Sequence, residues 1–244
     1  MHKLNFLIVC LSFSFLSLHG QQNEMIGNYI NKKLNGDLYF IDDLYDLSFY
    51  TYRNIDKNIL PPDEVYFDGI IQEATVYSDI SSLRAMHPDA ESELIKYILE
   101  NQGKPEVKDA ALELGSFYYN EKRYREAIDI YDYVNDAQLT NLEFSEKSFK
   151  KGYCHFVLKE FDYAIYSLSK TSENRNIFFY PTNYYLAMSQ YFKKDYDQAL
   201  TSFQRISGST AYKPYLPYYI AQILFVKKQY DELITYAESI LNEK

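Results

Sequence analysis

Histidine and cysteine, which most often supply catalytic bases, nucleophiles and metal ligands, are scarce in this sequence. Its 244 residues include 4 His and 2 Cys. His87 precedes a proline where a helix restarts, and His155 follows Cys154 in an apolar helical pattern, so structural roles are predicted for all three. The acidic pair Asp42-Asp43 is typical of a solvated face. Nucleotide-binding, esterase and zinc-protease motifs are absent from the sequence, so we expect a protein that is not an enzyme and has no metal and no cofactor.

The overall charge argues against binding to nucleic acid. Lys and Arg total 25 against 34 Asp and Glu, which gives a formal net charge of -9, and no basic run interrupts the acidic composition. Such a chain repels phosphate backbones. The composition is otherwise that of a globular protein, but its 27 Tyr and 16 Phe are accompanied by no Trp. Tyrosine combines broad apolar contact with a polar tip, which favours a binding surface.

The first residues of the chain resemble an export signal. Residues 4–18 are mostly apolar after the polar His2 and Lys3, and about 20 apolar residues are needed to span a bilayer. Residues 1–20 are therefore predicted to be a signal peptide cleaved after Gly20. Two alternatives are a buried N-terminal helix and a lipoprotein signal acylated at Cys10. Cleavage leaves a chain without a disulfide framework and without a membrane span, so we expect an exported protein in the periplasm or outer envelope of a Gram-negative bacterium.

A repeat runs through the second half of the chain. Each copy contains an aromatic residue followed three positions later by a small or apolar residue. The four aromatic residues are Tyr124, Phe161, Tyr196 and Tyr230. Twelve positions before the small residue stands another small one: Gly115, Gly152, Ala187 or Ala221. This spacing predicts pairs of helices whose backbones approach closely, and stacking of the pairs covers the apolar face that each leaves open.

These units resemble tetratricopeptide repeats, in particular those of exported bacterial proteins. The resemblance implies an all-α fold, a right-handed α-α superhelix (a tetratricopeptide-repeat solenoid) of stacked helix-turn-helix hairpins. The predicted repeats are 108–141, 145–178, 180–213 and 214–244. Residues 21–107 are predicted to be degenerate helical repeats, in which 38–59, 63–86 and 88–101 are helical. Thr140 and Glu143 are predicted to form a capping box.

The resemblance also implies a non-catalytic scaffold of the bacterial envelope that binds partner segments in a concave groove lined by the first helices. The groove positions are Leu112, Ser116, Tyr119, Phe149, Tyr153, Phe156, Tyr184, Met188, Tyr191, Tyr218, Gln222 and Phe225. These positions lack the Lys and Asn residues with which one branch of the family binds the C-terminal carboxylate of a partner protein. The expected ligands are therefore segments of other proteins with apolar anchors.

Two other functions fit the same residues. The chain is alternatively a glycan- or ligand-binding module of an uptake system, because tyrosine rings can stack on sugars, or the sensory ectodomain of a longer protein. The last predicted helix carries an apolar stripe at Ile234, Ala237, Ile240 and Leu241 that nothing in the sequence covers. We therefore expect either self-association through this uncapped repeat or a chain that is part of a longer repeat protein.

Overall fold

The computed structural model describes residues 27–55 and 65–242, and all regular structure in these ranges is helical. The predicted signal peptide lies outside them. No helix in the described ranges is long and apolar enough to cross a bilayer. Contacts divide the chain between Ala110 and Ala111 into an N-terminal and a C-terminal unit.

The helices follow one another in pairs joined by short turns. The N-terminal unit contains α1 at 27–41, α2 at Tyr45–Arg53, α3 at Val65–Arg84 and α4 at Ala90–Glu100. Helix α5, Val107–Asn120, starts in this unit and continues into the next. The C-terminal unit continues with α6 at Tyr124–Tyr131, α7 at Asn141–Val157, α8 at Phe161–Ser169, α9 at Phe179–Phe192, α10 at Tyr196–Arg205, α11 at Leu216–Val226 and α12 at Tyr230–Asn242.

The same turn ends the first helix of every pair. One residue adopts a left-handed conformation, with φ between 58° and 65°, and the next N–H donates back to a carbonyl of the helix that is ending. Between α5 and α6, for example, the Arg123 N–H donates to the Tyr118 carbonyl at 2.8 Å. The left-handed residues are Asp43, Met86, Lys122, Lys159, Lys194 and Lys228. The described chain is therefore built from helical hairpins of one kind.

The first hairpin corrects one prediction. Residues 38–59 were expected to be helical, but the chain turns at Asp43, where the Leu44 N–H donates to the Tyr39 carbonyl at 2.8 Å. Helix α2 then begins at Tyr45 and ends at Arg53. Residues 56–59 lie outside the described ranges.

In three of these hairpins a glycine of the first helix lets a large side chain of the second helix approach its backbone; the glycines are Gly36, Gly115 and Gly152. A Cβ placed on Gly36 would lie 2.6 Å from the ring of Tyr52, and one on Gly115 would lie 2.6 Å from the ring of Tyr131. These contacts join α1 to α2 and α5 to α6. Only a residue without a side chain allows a large neighbour to lie so near the first helix.

The core of the C-terminal unit continues this packing from one hairpin to the next. Phe203 of α10 and Ile223 of α11 are fully buried in one cluster, and Leu168 of α8 packs with Leu186 of α9 in another. The second helices α8 and α10 are thus each covered by the first helix of the following hairpin.

The start of α7 confirms the predicted capping box. The Thr140 side chain accepts a hydrogen bond from the Glu143 N–H, and the Glu143 carboxylate accepts one from the Thr140 N–H. These two bonds satisfy amide groups that a helix start leaves without partners, so α7 begins at Asn141.

Replacing the glycine of α7 tests the close approach. A Cβ on Gly152 would lie 2.5 Å from Cγ of Leu168, which is fully buried and would have to shift. Gly152→Leu should therefore lower the free energy of unfolding by at least about 1–3 kcal/mol, measured by urea denaturation. Gly69→Ala is the control, because Gly69 is a helical glycine with no atom within 4 Å of its Cβ position. The control should be as stable as the parent or more stable, and equal stability of the Gly152→Leu chain would contradict the packing.

Candidate functional site

Aromatic rings line the first helices of the C-terminal unit in an unbroken series. Tyr119 lies 5.5 Å from Tyr153 between ring centroids, and Tyr153 lies 4.8 Å from Tyr185 in an edge-to-face contact. Tyr185 is 5.3 Å from Tyr184, which stacks on Tyr212 at 4.6 Å. These five tyrosines, called the aromatic row below, connect α5, α7, α9 and the segment before α11.

Burial keeps the hydroxyl groups of Tyr119, Tyr184 and Tyr185 protonated. Burial, with a smaller contribution from neighbouring tyrosines, raises the pKa of both Tyr119 and Tyr184 to about 12, and it also raises the pKa of Tyr185. The five row tyrosines are all half-buried, so their rings pack while part of each side chain remains at the surface. The row therefore presents apolar ring surface together with phenolic hydroxyl groups.

Two predicted groove residues, Phe149 and Phe156, pack against tyrosines of the aromatic row. Phe149 lies 6.2 Å from both Tyr153 and Tyr185 between ring centroids, and Phe156 lies 5.1 Å from Tyr185. Both phenylalanines are half-buried. Their contacts fix the ring orientations of the row and leave a part of each phenylalanine accessible.

The predicted residues of α11 are the most accessible. Tyr218 is 63% exposed and Phe225 is 61% exposed. With Gln222 and Leu233 they line a shallow depression of about 480 Å³. The Tyr191 hydroxyl donates to the Gln222 amide oxygen, which links α9 to this depression. A partner side chain would find apolar contact and a polar group in the same place.

The remaining predicted positions are less available. Leu112 and Ser116 of α5 are half-buried, and the Ser116 hydroxyl accepts a hydrogen bond from Lys150 Nζ at 2.9 Å. Met188 is only 7% exposed and packs in the core cluster of α9, α10 and α11. In this structure Met188 therefore stabilises the unit from inside.

Two residues of this surface, Tyr185 and Lys150, were not among the groove positions predicted from the repeat pattern. Tyr185 has four aromatic neighbours in and beside the row, because it faces α7 while the adjacent Tyr184 faces forward to Tyr212. The Tyr184-Tyr185 doublet was the available signal. Lys150 lies 5.7 Å above the Tyr119 ring, but its charge is compensated by Glu146 at 2.6 Å.

Lysines of α7 and of the C-terminal end of α8 form a cluster that the linear sequence concealed. Lys147, Lys151 and Lys170 line one pocket of about 610 Å³ together with Asp132 and Asp136. Lys147 is 8% exposed, and its ammonium group donates to Asp136 at 2.6 Å and to a backbone carbonyl at 2.9 Å. Lys151 pairs with Asp132, and Lys170 pairs with Asp136. Because the carboxylates of Asp132 and Asp136 are paired with these lysines, the cluster holds the loop before α7 against α7 and α8.

His155 and Cys154, the side chains of types most often used in catalysis, are both buried. His155 is 7% exposed and lies 2.8 Å from a carboxylate oxygen of Glu160, which also binds Arg125 at 2.6 Å. Burial raises the pKa of the Cys154 thiol to about 12, so the thiol remains protonated and unreactive at neutral pH. Within the described ranges no group of three or more His, Cys, Asp or Glu side chains is arranged to hold a metal ion.

The sequence matches one known family. The family described as "Tetratricopeptide repeat" matches residues 182–207, which comprise most of α9 and all of α10. The matched residues lie within the third predicted repeat, 180–213. No curated protein sequence matches the chain.

Two solved structures share the fold. One, titled "MamA MSR-1 C2", is 17% identical over 74% of this chain and 95% of its own, with a TM-score of 0.51. The other, titled "Crystal structure of MamA protein", is 19% identical over 79% of this chain and 95% of its own, with a TM-score of 0.54. This likeness confirms the predicted all-α solenoid.

The buried histidine leads to a prediction about pH. Burial is the largest influence on His155 and lowers its pKa below the ordinary value, despite the opposing effect of Glu160. The contribution of His155 to stability should therefore be complete above about pH 6.5 and decline as the pH falls through the lowered folded-state pKa. Urea unfolding between pH 7.5 and 5.5 measures this slope, which should be shallower in His155→Gln than in the parent. Identical slopes for the parent and His155→Gln would refute it.

Proposed function

We propose that this chain is a tetratricopeptide-repeat protein and a non-catalytic scaffold that binds an apolar segment of another protein along its first helices. Proteins built from this repeat bind other proteins. The observation that carries the proposal is the aromatic row and its continuation to Tyr218 and Phe225, which together expose ring surface across four consecutive hairpins.

The chemistry of this surface defines the partner. Aromatic anchors with phenolic hydroxyl groups suit an extended or helical segment with apolar side chains and accessible carbonyl groups. Lys150, beside the row, is already paired with Glu146. An acidic partner therefore gains little from this surface, and apolar contact should dominate the affinity.

The proposal places the protein in the envelope of a Gram-negative bacterium. This part rests on the predicted signal peptide of residues 1–20 and on the absence of a disulfide framework in the remaining sequence. The partner segment would then belong to another exported or membrane protein with a domain in the same compartment.

We also infer that the chain associates with a second copy of itself through α12. Ile234 on this helix is 57% exposed and Leu241 is 69% exposed. At the position equivalent to Ile234, Ile128 of α6 is only 5% exposed, because the next hairpin covers it. Pairing of two α12 helices would bury the apolar stripe that internal stacking buries elsewhere.

Removing the exposed rings of α11 tests partner binding. In capture experiments from envelope extract with quantitative mass spectrometry, Tyr218→Ser/Phe225→Ser should recover its partner at least tenfold less than the parent, because large aromatic anchors carry much of an interface's affinity. Tyr163→Ser/Tyr166→Ser is the matched control, since these α8 tyrosines are 63% and 64% exposed. If both double variants lose the partner equally, or if neither loses it, the partner does not bind at the first helices.

Introducing a charge on α12 tests self-association. The parent should show a concentration-dependent increase in mass by sedimentation equilibrium, and Ile234→Asp should remain monomeric at the same concentrations because a buried carboxylate opposes the pairing. Tyr166→Asp places the same charge at an exposed position of α8 and should behave as the parent. A parent that stays monomeric at all concentrations would exclude this interface.

A further inference from the structure

The pocket of the lysine cluster has features that holding the loop before α7 does not explain. It lies between the end of α6, α7 and α8, and its volume of about 610 Å³ is within the range of pockets that hold small molecules. The exposed tyrosines Tyr163 and Tyr166 form part of its wall, and Ile128 and Val134 add apolar surface to another part. A ligand in this pocket would therefore meet apolar surface as well as charged groups.

The charged side chains that line this pocket do not cancel one another. Asp136 is shared by two lysines, because it accepts a hydrogen bond from Lys147 at 2.6 Å and lies 3.3 Å from the ammonium group of Lys170. Asp132 pairs with Lys151. Three ammonium groups thus face two carboxylates, and the pocket keeps an excess of one positive charge in a chain whose formal net charge is -9.

This excess charge acts on the ionisable groups around the pocket. Burial is the largest influence on Lys147 and lowers its pKa, and the positive charges of Lys151 and Lys170 lower it further, despite the opposing effect of Asp136. Burial also lowers the pKa of His155, which lines the pocket, and the charge of Lys151 adds to that effect. An anion inside the pocket would relieve the repulsion among these groups.

Two buried serines of the pocket have hydroxyl groups without a hydrogen-bond partner in the described part of the chain. They are Ser148 of α7, which is 5% exposed, and Ser167 of α8, which is 6% exposed. The nearby Ser145, in contrast, donates to the Asn141 carbonyl at 2.9 Å. The oxygens of Ser148 and Ser167 also keep accessible surface, unlike the unpaired hydroxyl oxygen of Thr182, which is sealed inside the protein. Both serines can therefore donate a hydrogen bond to a ligand in the pocket.

We propose that this pocket binds a small organic anion, a molecule that carries one carboxylate on an apolar frame. The carboxylate accepts hydrogen bonds from Ser148 and Ser167 and neutralises the excess positive charge of the pocket. The apolar part packs against the rings of Tyr163 and Tyr166. Because the excess is a single charge, a monoanion is favoured over a dianion. None of the pocket residues belongs to the aromatic row, and neither proposal depends on the other.

Pairs of probes with the same shape and different charge test the site. The probes are sodium benzoate and sodium hexanoate, with benzamide and hexanamide as their neutral counterparts. Binding to the purified chain is followed by NMR titration of the His155 ring, whose signals are assigned by comparison with His155→Gln. At least one carboxylate should bind saturably and shift these signals, and its amide should bind at least about tenfold more weakly because it leaves the excess charge in place. The ring signals of His87, in the N-terminal unit, should not move.

Variants of the pocket separate its charge from its hydroxyl groups. For the carboxylate that binds, the Kd should rise at least about tenfold in Lys151→Met, which removes the excess charge, and about threefold in Ser148→Ala and in Ser167→Ala, which each remove one donor. Lys227→Met is the matched control, because Lys227, like Lys151, pairs with an aspartate of the preceding hairpin but does not line this pocket. It should bind as the parent does.

A double variant distinguishes loss of charge from loss of structure. Lys151→Met/Asp132→Asn removes the whole ion pair and thereby restores the excess of one positive charge, so its Kd should return to within about threefold of the parent value. The proposal is overturned if neither carboxylate binds, if the amides bind as tightly as the carboxylates, or if Lys151→Met binds as the parent does. It is also overturned if the double variant binds as weakly as Lys151→Met.

Discussion

The close approach of the two helices within each hairpin is the constraint on which the rest of the structure depends. Gly36, Gly115 and Gly152 allow a large side chain of the second helix to lie against the backbone of the first. The left-handed turn between the helices brings the pair into this register. Once the hairpin is closed, one apolar face of its second helix remains open, and the next hairpin buries it. Stacking is thus a consequence of how each hairpin closes.

The aromatic surface follows from the stacking. Because equivalent positions of successive first helices lie side by side, tyrosines separated by more than thirty residues in sequence meet within 4.8–5.5 Å, as Tyr119, Tyr153 and Tyr185 do. Their mutual contacts hold the rings in place, which would lower the entropic cost of binding the proposed partner. The more exposed Tyr218 and Phe225 then extend the surface toward the last hairpin.

The repeat pattern made most of the fold predictable, since spacing alone identified the small residues and the hairpins of the second half. The first hairpin obeys the same pattern, with Gly36, Tyr45 and Ser48 at the equivalent positions, but serine in place of alanine concealed it. The site was harder to predict. Tyr185 takes its importance from a neighbouring helix, and the lysines at 147, 151 and 170 converge only after folding. Such contacts depend on the rotation of each helix, which residue spacing does not specify.

Site-specific photo-crosslinking tests the central claim, that the first helices form the partner-binding surface, most directly. A photoreactive phenylalanine analogue would replace either Tyr218 or Tyr163, two tyrosines of equal exposure on a first and a second helix. Illumination of cells producing each chain should give a discrete protein adduct from position 218 and none from position 163. An adduct formed from position 163 alone, or no adduct from position 218, would contradict the account.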